Sequence, residues 1–404
     1  MGGRVIRVLE AVLLSLLMWP SPGFAQVSRR LPDPGSVTRP PAYDARLEAR
    51  SDFFSLEDGW IKRTGSSVQT GSPLSGNLPV LLVQALFSDS PEPHVSQLEL
   101  QRSLFEGPSE FGTLTEYYHE VSGGRLTVDG EALPWVRTSI SMSSVVGTSY
   151  GLGQDARTGE FLVQALGEVD DAVDFGQFDN DGPDGVPNSG DDDGYVDAVA
   201  FQFIEVSASC GGPAIWPHRS RIQYWFEPEV PYVSNDARNG GGFIRVNDYT
   251  TQSAVDCGGV DVQKATTIAH ELGHVLGLPD LYDRSQGLLP EERRWVVGCW
   301  DLMAAGSWGC GTTNRVAWVR PTHLGAWEKI RLGWLGGVHV VEDALNQEFT
   351  LEPVQSSGQA LKVFLEEGNP TGQTEYLLIE YREKTGFDQD LPAAGVLVYH
   401  VDPK

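Results

Sequence analysis

The stretch "TTIAHELGHVLGLPDLYD", Thr266 to Asp283, constrains the chain more than any other. On an α-helix each residue advances about 100°, so His270 and His274 lie about 40° apart, one turn apart on one face, where two imidazoles can meet one zinc ion. Glu271 stands about 100° round from His270, off that stripe but beside the metal, placed to take a proton from a zinc-bound water. Gly277 returns to the His270 face, and a residue without Cβ lets the helix end there and the chain turn back. "LPD" then carries Asp280 toward the metal as the expected third ligand. Pro-Asp is also ordinary turn chemistry. Glu291 and Glu292 are the alternatives, though their "EERR" run reads as solvent-facing. A site of two neutral imidazoles and one carboxylate would carry a charge near +1, so the water would depend more on Glu271 as base.

The 404-residue chain as a whole, 40% apolar, is long enough for one large or two ordinary domains. It begins "MGGRVIRVLEAVLLSLLMWPSPGFAQ", with Arg4 and Arg7 ahead of an apolar run to Trp19, then Pro20 and Pro22, then small residues to Ala25. That is the layout of a signal peptide over 1–25, its apolar run too short to span a bilayer. A secreted, extracellular protein without stable membrane insertion is expected. Residues 26–76 read as a mobile leader or short prosegment in which only "SDFFSLEDGW" could pack.

A folded domain is expected over 77–336, opening with the buried strand in "NLPVLLVQALF". "TLTEYYHEVSGG" reads as a helix stopped by Gly123 and Gly124, "RLTVDG" as a strand, "RTGEFLVQALGEV" as a helix and "YVDAVAFQF" as a strand. A helix ends near Leu276 and another begins after Pro321. Residues 337–404 are a β-rich appendage of successive strands, "EFTLEPV", "ALKVFLEE", "EYLLIEYRE" and "GVLVYHVD". This interleaving gives an α/β (α+β) fold.

The net charge of −26 repels nucleic acid. Part of it is crowded into "DFGQFDNDGPDGVPNSGDDDGYVDAV", where hard carboxylates at alternate positions suit calcium. Two groups present themselves, Asp179, Asp181 and Asp184, and Asp191, Asp193 and Asp197; neither fits an EF-hand loop. The four cysteines suggest two disulfides, and their order along the chain favours Cys210 with Cys257 and Cys299 with Cys310. The latter pair brackets Met303 in "CWDLMAAGSWGC", which after such a helix looks like the Met-turn beneath the metal of metzincin-like peptidases. His218 in "IWPHRS" and His323 in "PTHLGAW" are candidates for contacting substrate or stabilising an oxyanion, and each also reads as a structural histidine.

From about Asn77 onward the chain resembles the immune-inhibitor-A-like secreted zinc metallopeptidases. The likeness is carried in order by "LPVLLVQALFSDSPEP", "TLTEYYHEVSGGRL", "FDNDGPDG", "DDDGYVDAVAFQF", "IWPHRS", "TIAHELGHVLGLPDLYD", "WDLMAAGSW", "LGAWEKIRLGWL" and "EYLLIEYREKTGFDQDLPAAGVLVYHVD". The resemblance implies a metzincin-like domain with a mixed sheet and an active-site helix, zinc on His270, His274 and Asp280, Glu271 as base, and calcium on the acidic loop. It also implies endoproteolysis of protein or peptide substrates. Members typically continue past the block ending here in "YHVDPK", so the chain reads as truncated or stripped of C-terminal modules. Its first cysteine is Cys210, so latency through a leader thiol on zinc is not expected. Two other classes compete: a calcium-stabilised surface or adhesion protein on an inactive peptidase fold, and a zinc hydrolase of non-peptide substrates. The intact Glu271 argues against the first. Oligomeric state is not readable.

Overall fold

The computed structural model describes residues 4–8, 40–54, 60, 73–281, 297–310, 319–341, 347–356, 358–365 and 374–402. Its centre is a sheet built from β1 (Gly76–Leu86), β2 (Leu126–Ala132), β3 (Ala198–Phe203), β4 (His218–Arg221) and β5 (Asp248–Ser253), in the order β2-β1-β3-β5-β4. Neighbours are parallel except at the edge, where β4 runs antiparallel to β5. A short strand, Val136–Arg137, also pairs with β1.

Both faces of this sheet are covered, which is why β1 reads as an unbroken apolar run. Alternate residues of a strand point to opposite faces. Leu78, Val80, Leu82 and Leu86 enter one core, shared with Tyr117 and Tyr118 of α2 (Leu114–Val121) and Ile268 and Leu272 of α4 (Ala265–Leu276). Leu81, Val83, Ala85 and Phe87 enter the other, against Phe161, Leu162, Ala165 and Leu166 of α3 (Thr158–Val169). Helix α2 is opened by a reciprocal cap between Thr113 and Glu116. It is tied to α4 by the Tyr118 hydroxyl, which donates to the Ala269 carbonyl at 2.6 Å.

Within the 26–76 leader the structure adds a helix, α1 (Pro41–Ala49), that periodicity does not signal, because only Tyr43 of its nine residues is buried. Polar contacts hold it instead. Arg46 donates Nε to the Leu152 carbonyl and Nη2 to the Gly153 carbonyl, both at 2.8 Å, with its guanidinium 4.6 Å from the Trp225 ring centre. Phe53, from the "SDFFSLEDGW" block, is buried, and its carbonyl accepts from the Ser220 hydroxyl of β4 at 2.7 Å. Residues 40–54 are therefore docked on the β4 edge. Of the segment read as a signal peptide, the structure describes only Arg4–Val8, which pairs antiparallel with Gln347–Leu351. Among the described residues no helix is long and apolar enough to cross a membrane.

The C-terminal segment forms a second sheet of β6 (Gly337–Val341), β7 (Gln359–Phe364), β8 (Tyr376–Arg382) and β9 (Gly395–Val401), in chain order. Helix α5 (Ala326–Arg331) joins it to the first unit, burying Ala326 against Val354, Ala360 and Leu378. The expected helix start after Pro321 is displaced to Ala326. The backbone N–H groups of Gly325 and Ala326 are drawn instead to the carboxylates of Asp301 and Glu380, at 2.7 and 2.5 Å. Both disulfides form as expected, Cys210–Cys257 and Cys299–Cys310.

Of the two readings of "IWPHRS", the structure shows His218 in the structural one. It is buried in β4, its Nδ1 bonded to the Trp216 carbonyl at 2.7 Å and its Nε2 to the Tyr249 hydroxyl at 2.8 Å, with Phe54 of the leader edge-on to its ring. Burial lowers its pKa from 6.5 to about 4, against the opposing pull of the Trp216 carbonyl. The unfolded chain therefore takes up this proton first. The histidine's contribution is intact above pH 6.5 and is lost as the pH falls toward 4, a change of about 3 kcal/mol. Urea unfolding from pH 7 to pH 4 should show a flatter pH dependence in His218→Gln than in the parent. Parallel curves would contradict this assignment.

Candidate metal centre

Helix α4 ends at Gly277, whose φ of 107° suits glycine and strains other residues. The turn it starts is closed by the Leu278 N–H donating to the Gly273 carbonyl at 3.0 Å. Two consequences follow for the chemistry. The Leu278 carbonyl accepts from His274 Nδ1 at 2.8 Å, and Asp280 is brought beneath both histidines, its side chain 2% exposed. Asp280 Oδ1 lies 3.1 Å from His270 Nε2 and 3.2 Å from His274 Nε2.

His270 is oriented in the same manner from another direction, its Nδ1 bonded to the Leu302 carbonyl at 2.9 Å. A carbonyl only accepts, so each Nδ1 carries the proton and each Nε2 turns a lone pair inward. Two lone pairs and a carboxylate thus face one another in a buried place, all within 4.8 Å. Such a set requires a cation between its members. Without a metal a proton fills that role: burial opposes the His270 imidazolium, but Asp280 and Glu271 outweigh it and raise the pKa to about 9. The donor set fits a metal.

Glu271 is buried on the same helix, and its Oε2 has no hydrogen-bond partner among the described residues. Burial pushes its carboxyl up, against the pull of His270 and His274. The site therefore pairs a cation-demanding triad with a carboxylate biased toward holding a proton.

Below the helix runs the turn bracketed by Cys299 and Cys310. Its Asp301 carboxylate accepts from the N–H of Met303 and the N–H of Gly325, each at 2.7 Å. With its shape so held, the turn uses consecutive carbonyls: Leu302 orients His270, and Met303 accepts from the Leu281 N–H at 2.8 Å, fixing the residue after Asp280. The Met303 side chain is fully buried against Gly273, where a Cβ would come within 2.5 Å of its Sδ. These supporting backbone groups carry no sequence signal. Only Asp301, two places before the methionine, could have been noticed.

The acidic loop is regrouped relative to the sequence reading. Asp179, Asp181 and Asp197 come together, all buried, while Asp184, Asp191 and Asp193 do not join them. Asp184 and Asp193 cap the N–H groups of Val186 and Tyr195, each at 2.8 Å, and Asp191 bonds the Ser189 hydroxyl. The loop folds back so that Asp197, just before β3, accepts from the Asn180 N–H at 2.8 Å, a return that local spacing does not encode. Burial, then Asp193, Asp192 and Asp181, push the Asp179 carboxyl up to about 7. Asp192, not singled out in the sequence, is buried and accepts from Gly182 and Ser189.

His323 likewise takes the structural of its two readings: it is fully buried, its Nδ1 on the Leu324 carbonyl at 3.2 Å, and burial with Lys329 and Arg382 holds its pKa well below the usual histidine value. Glu291 and Glu292 lie outside the described residues.

Residues 84–335 match the family model for the immune inhibitor A peptidase M6 catalytic domain, a stretch holding β2 to β5, the end of β1, α4 and the Met303 turn. The chain belongs to the immune inhibitor A peptidase M6 family. It is 29% identical over 248 residues to the pre-pro-metalloprotease PrtV of Vibrio cholerae serotype O1 (strain M66-2), covering 58% of this chain and 25% of that protein. It is also 29% identical over 271 residues to immune inhibitor A of Bacillus thuringiensis subsp. alesti, covering 60% of this chain and 36% of that protein. The chain thus spans about a third or less of the curated relatives it matches. Residues 84–335 thus carry the sequence of the family's catalytic domain, on the mixed α/β fold read from the sequence.

The contact between α4 and the turn is testable. Gly273→Ala should destabilise the protein by about 1–3 kcal/mol, because the fully buried Met303 must shift to admit the methyl group. In urea unfolding, the Gly273→Ala/Met303→Ala double variant should lose less than the sum of the singles by about 0.5 kcal/mol or more. Strict additivity would show that the two do not touch.

Proposed function

We propose that this M6-family chain is a secreted zinc-dependent endopeptidase in which His270, His274 and Asp280 hold zinc and Glu271 is the general base. The observation that carries this reading is the convergence of three acceptors, on buried His270 and part-buried His274 and Asp280, on one point beside a buried glutamate. Zinc suits the donor set. Ligands of a tetrahedral zinc with bonds of ~2.0–2.1 Å stand about 3.3 Å apart, and the Nε2–Oδ1 separations here are 3.1 and 3.2 Å. Three protein ligands leave the fourth position for chemistry, where a bound zinc would supply Lewis acidity.

Glu271 removes a proton from water as the water oxygen attacks the scissile carbonyl carbon. It then delivers that proton to the amide nitrogen as the C–N bond breaks. Export is supported by the signal-peptide layout over 1–25 and by two disulfides. On this reading 26–76 is a prosegment, 77–336 the catalytic domain and 337–404 a β-rich segment joined to it. Asp179, Asp181 and Asp197 form a calcium site, supported by three buried carboxylates that would repel one another without a cation.

Chelators should abolish casein cleavage and zinc should restore it. Glu271→Gln should lower kcat/KM by about 10²–10⁴-fold while zinc content stays at the parent level. Undiminished cleavage by that variant would sink the mechanism, and ester but not peptide hydrolysis by the parent would favour the non-peptide hydrolase.

Calcium at about a hundred times its Kd should stabilise the fold by about 2.7 kcal/mol. In Asp179→Asn/Asp197→Asn that increment should disappear. Equal melting of the parent in calcium and in chelator would remove the calcium assignment.

A further inference from the structure

Arg382 is fully buried on β8, outside the 84–335 stretch that matches the family's catalytic domain. Its guanidinium donates Nε and Nη2 to Asp388 Oδ2, at 2.8 and 2.6 Å, and Nη1 to Glu380 Oε1 at 3.0 Å. The same Nη1 donates at 3.0 Å to the carbonyl of Trp300, 82 residues earlier in the chain and next to Asp301. Each carboxylate reaches onward. Glu380 Oε2 accepts from the Ala326 N–H, and Asp388 Oδ1 accepts from the His323 N–H at 3.0 Å. Asp301 then joins the Met303 and Gly325 N–H groups. The 300–303 turn, the 323–326 segment and β8 are thereby cross-linked through charge-assisted hydrogen bonds in a buried place.

Buried ion pairs contribute little net stability compared with well-packed apolar residues, but they fix geometry because a broken partner is so costly. What this network fixes lies at the far end of the turn. Two residues past the clasped Trp300 carbonyl, Leu302 orients His270, and one further Met303 fixes Leu281 beside Asp280.

We infer that Arg382 is a positioning residue for the metal centre: from the C-terminal sheet it clasps the Met303 turn in the register that aims His270 and Asp280 at the same point. The inference rests on the zinc reading above. It makes the C-terminal sheet a working part of the site instead of the appendage its sequence suggests.

The test uses the full chain and two variants. Arg382→Lys keeps the charge that faces Glu380 and Asp388, but a point donor cannot reproduce the arginine's planar fork onto the Trp300 carbonyl as well. Arg382→Gln removes both, and if it does not fold, the lysine variant decides. Three quantities are read: zinc affinity by competition with a chromophoric chelator, kcat and KM on a peptide, and urea midpoints with and without zinc. Loss of an outer support typically weakens metal binding 10–100-fold. Zinc affinity should fall at least about tenfold and kcat should drop at nearly constant KM. The rise in midpoint that zinc confers should shrink in both variants, over and above any fall in the zinc-free midpoint. Variants that bind zinc within about twofold of a zinc-binding parent, with the parent's kcat, overturn the inference alone. So does a lower zinc-free midpoint with an undiminished zinc increment, the mark of a merely structural arginine. A parent that takes up no zinc overturns both the inference and the reading beneath it.

Discussion

Two imidazole lone pairs and a carboxylate oxygen aimed at one buried point are mutually repulsive, and most of what surrounds them can be understood as holding that arrangement in place. The rings cannot choose their own tautomers. Carbonyls of Leu278 and Leu302 impose them by accepting the Nδ1 protons, and the two carbonyls belong to different turns. One turn exists because Gly277 ends α4 with a positive φ; the other is shaped by Asp301 and closed at its base by Cys299–Cys310. Orientation of the two imidazoles is thus delegated to backbone groups, which rotate less freely than side chains.

The sheet supplies the platform. Because β1, β3 and β5 are covered on both faces, Ile268 and Leu272 of α4 can be buried against one face while α3 seals the other. Helix α4 is then held by its apolar side, by the Tyr118 hydroxyl on Ala269 and by Met303 under Gly273. Its remaining face presents His270, Glu271 and His274. A helix pinned on three sides moves little, so the three side chains keep fixed positions relative to one another.

Local pattern made much of this legible. The spacing from His270 to His274, the helix stop at Gly277 and the apolar runs of β1 and α3 depend on neighbours a few residues away, so they can be read from the sequence. The disulfide pairing also followed simple chain order. What escaped depends on contacts across long separations. The bond from Leu302 to His270 spans 32 residues, and that from Arg382 to Trp300 spans 82. The regrouping of Asp179, Asp181 and Asp197 arises from the fold of the loop, not from the alternation of its aspartates. His218 and His323 resembled functional residues only because a lone histidine looks the same in a cleft and in a core. Helix α1 was missed for the opposite reason: its docking uses Arg46 and backbone carbonyls, which leave no apolar stripe.

The long reach of the Arg382 bond also bears on timing. Domains of a growing chain fold in the order in which they emerge from the ribosome, and long loops close at an entropic cost. The sheet strands, α4 and the Met303 turn are all synthesised before β8. Until that strand arrives, the turn has no partner for the Trp300 carbonyl, and Glu380 cannot draw in the start of α5. A nascent chain of this protein would therefore carry His270, His274 and Asp280 for some hundred residues of synthesis, from 280 to 382, before the Arg382 clasp is complete.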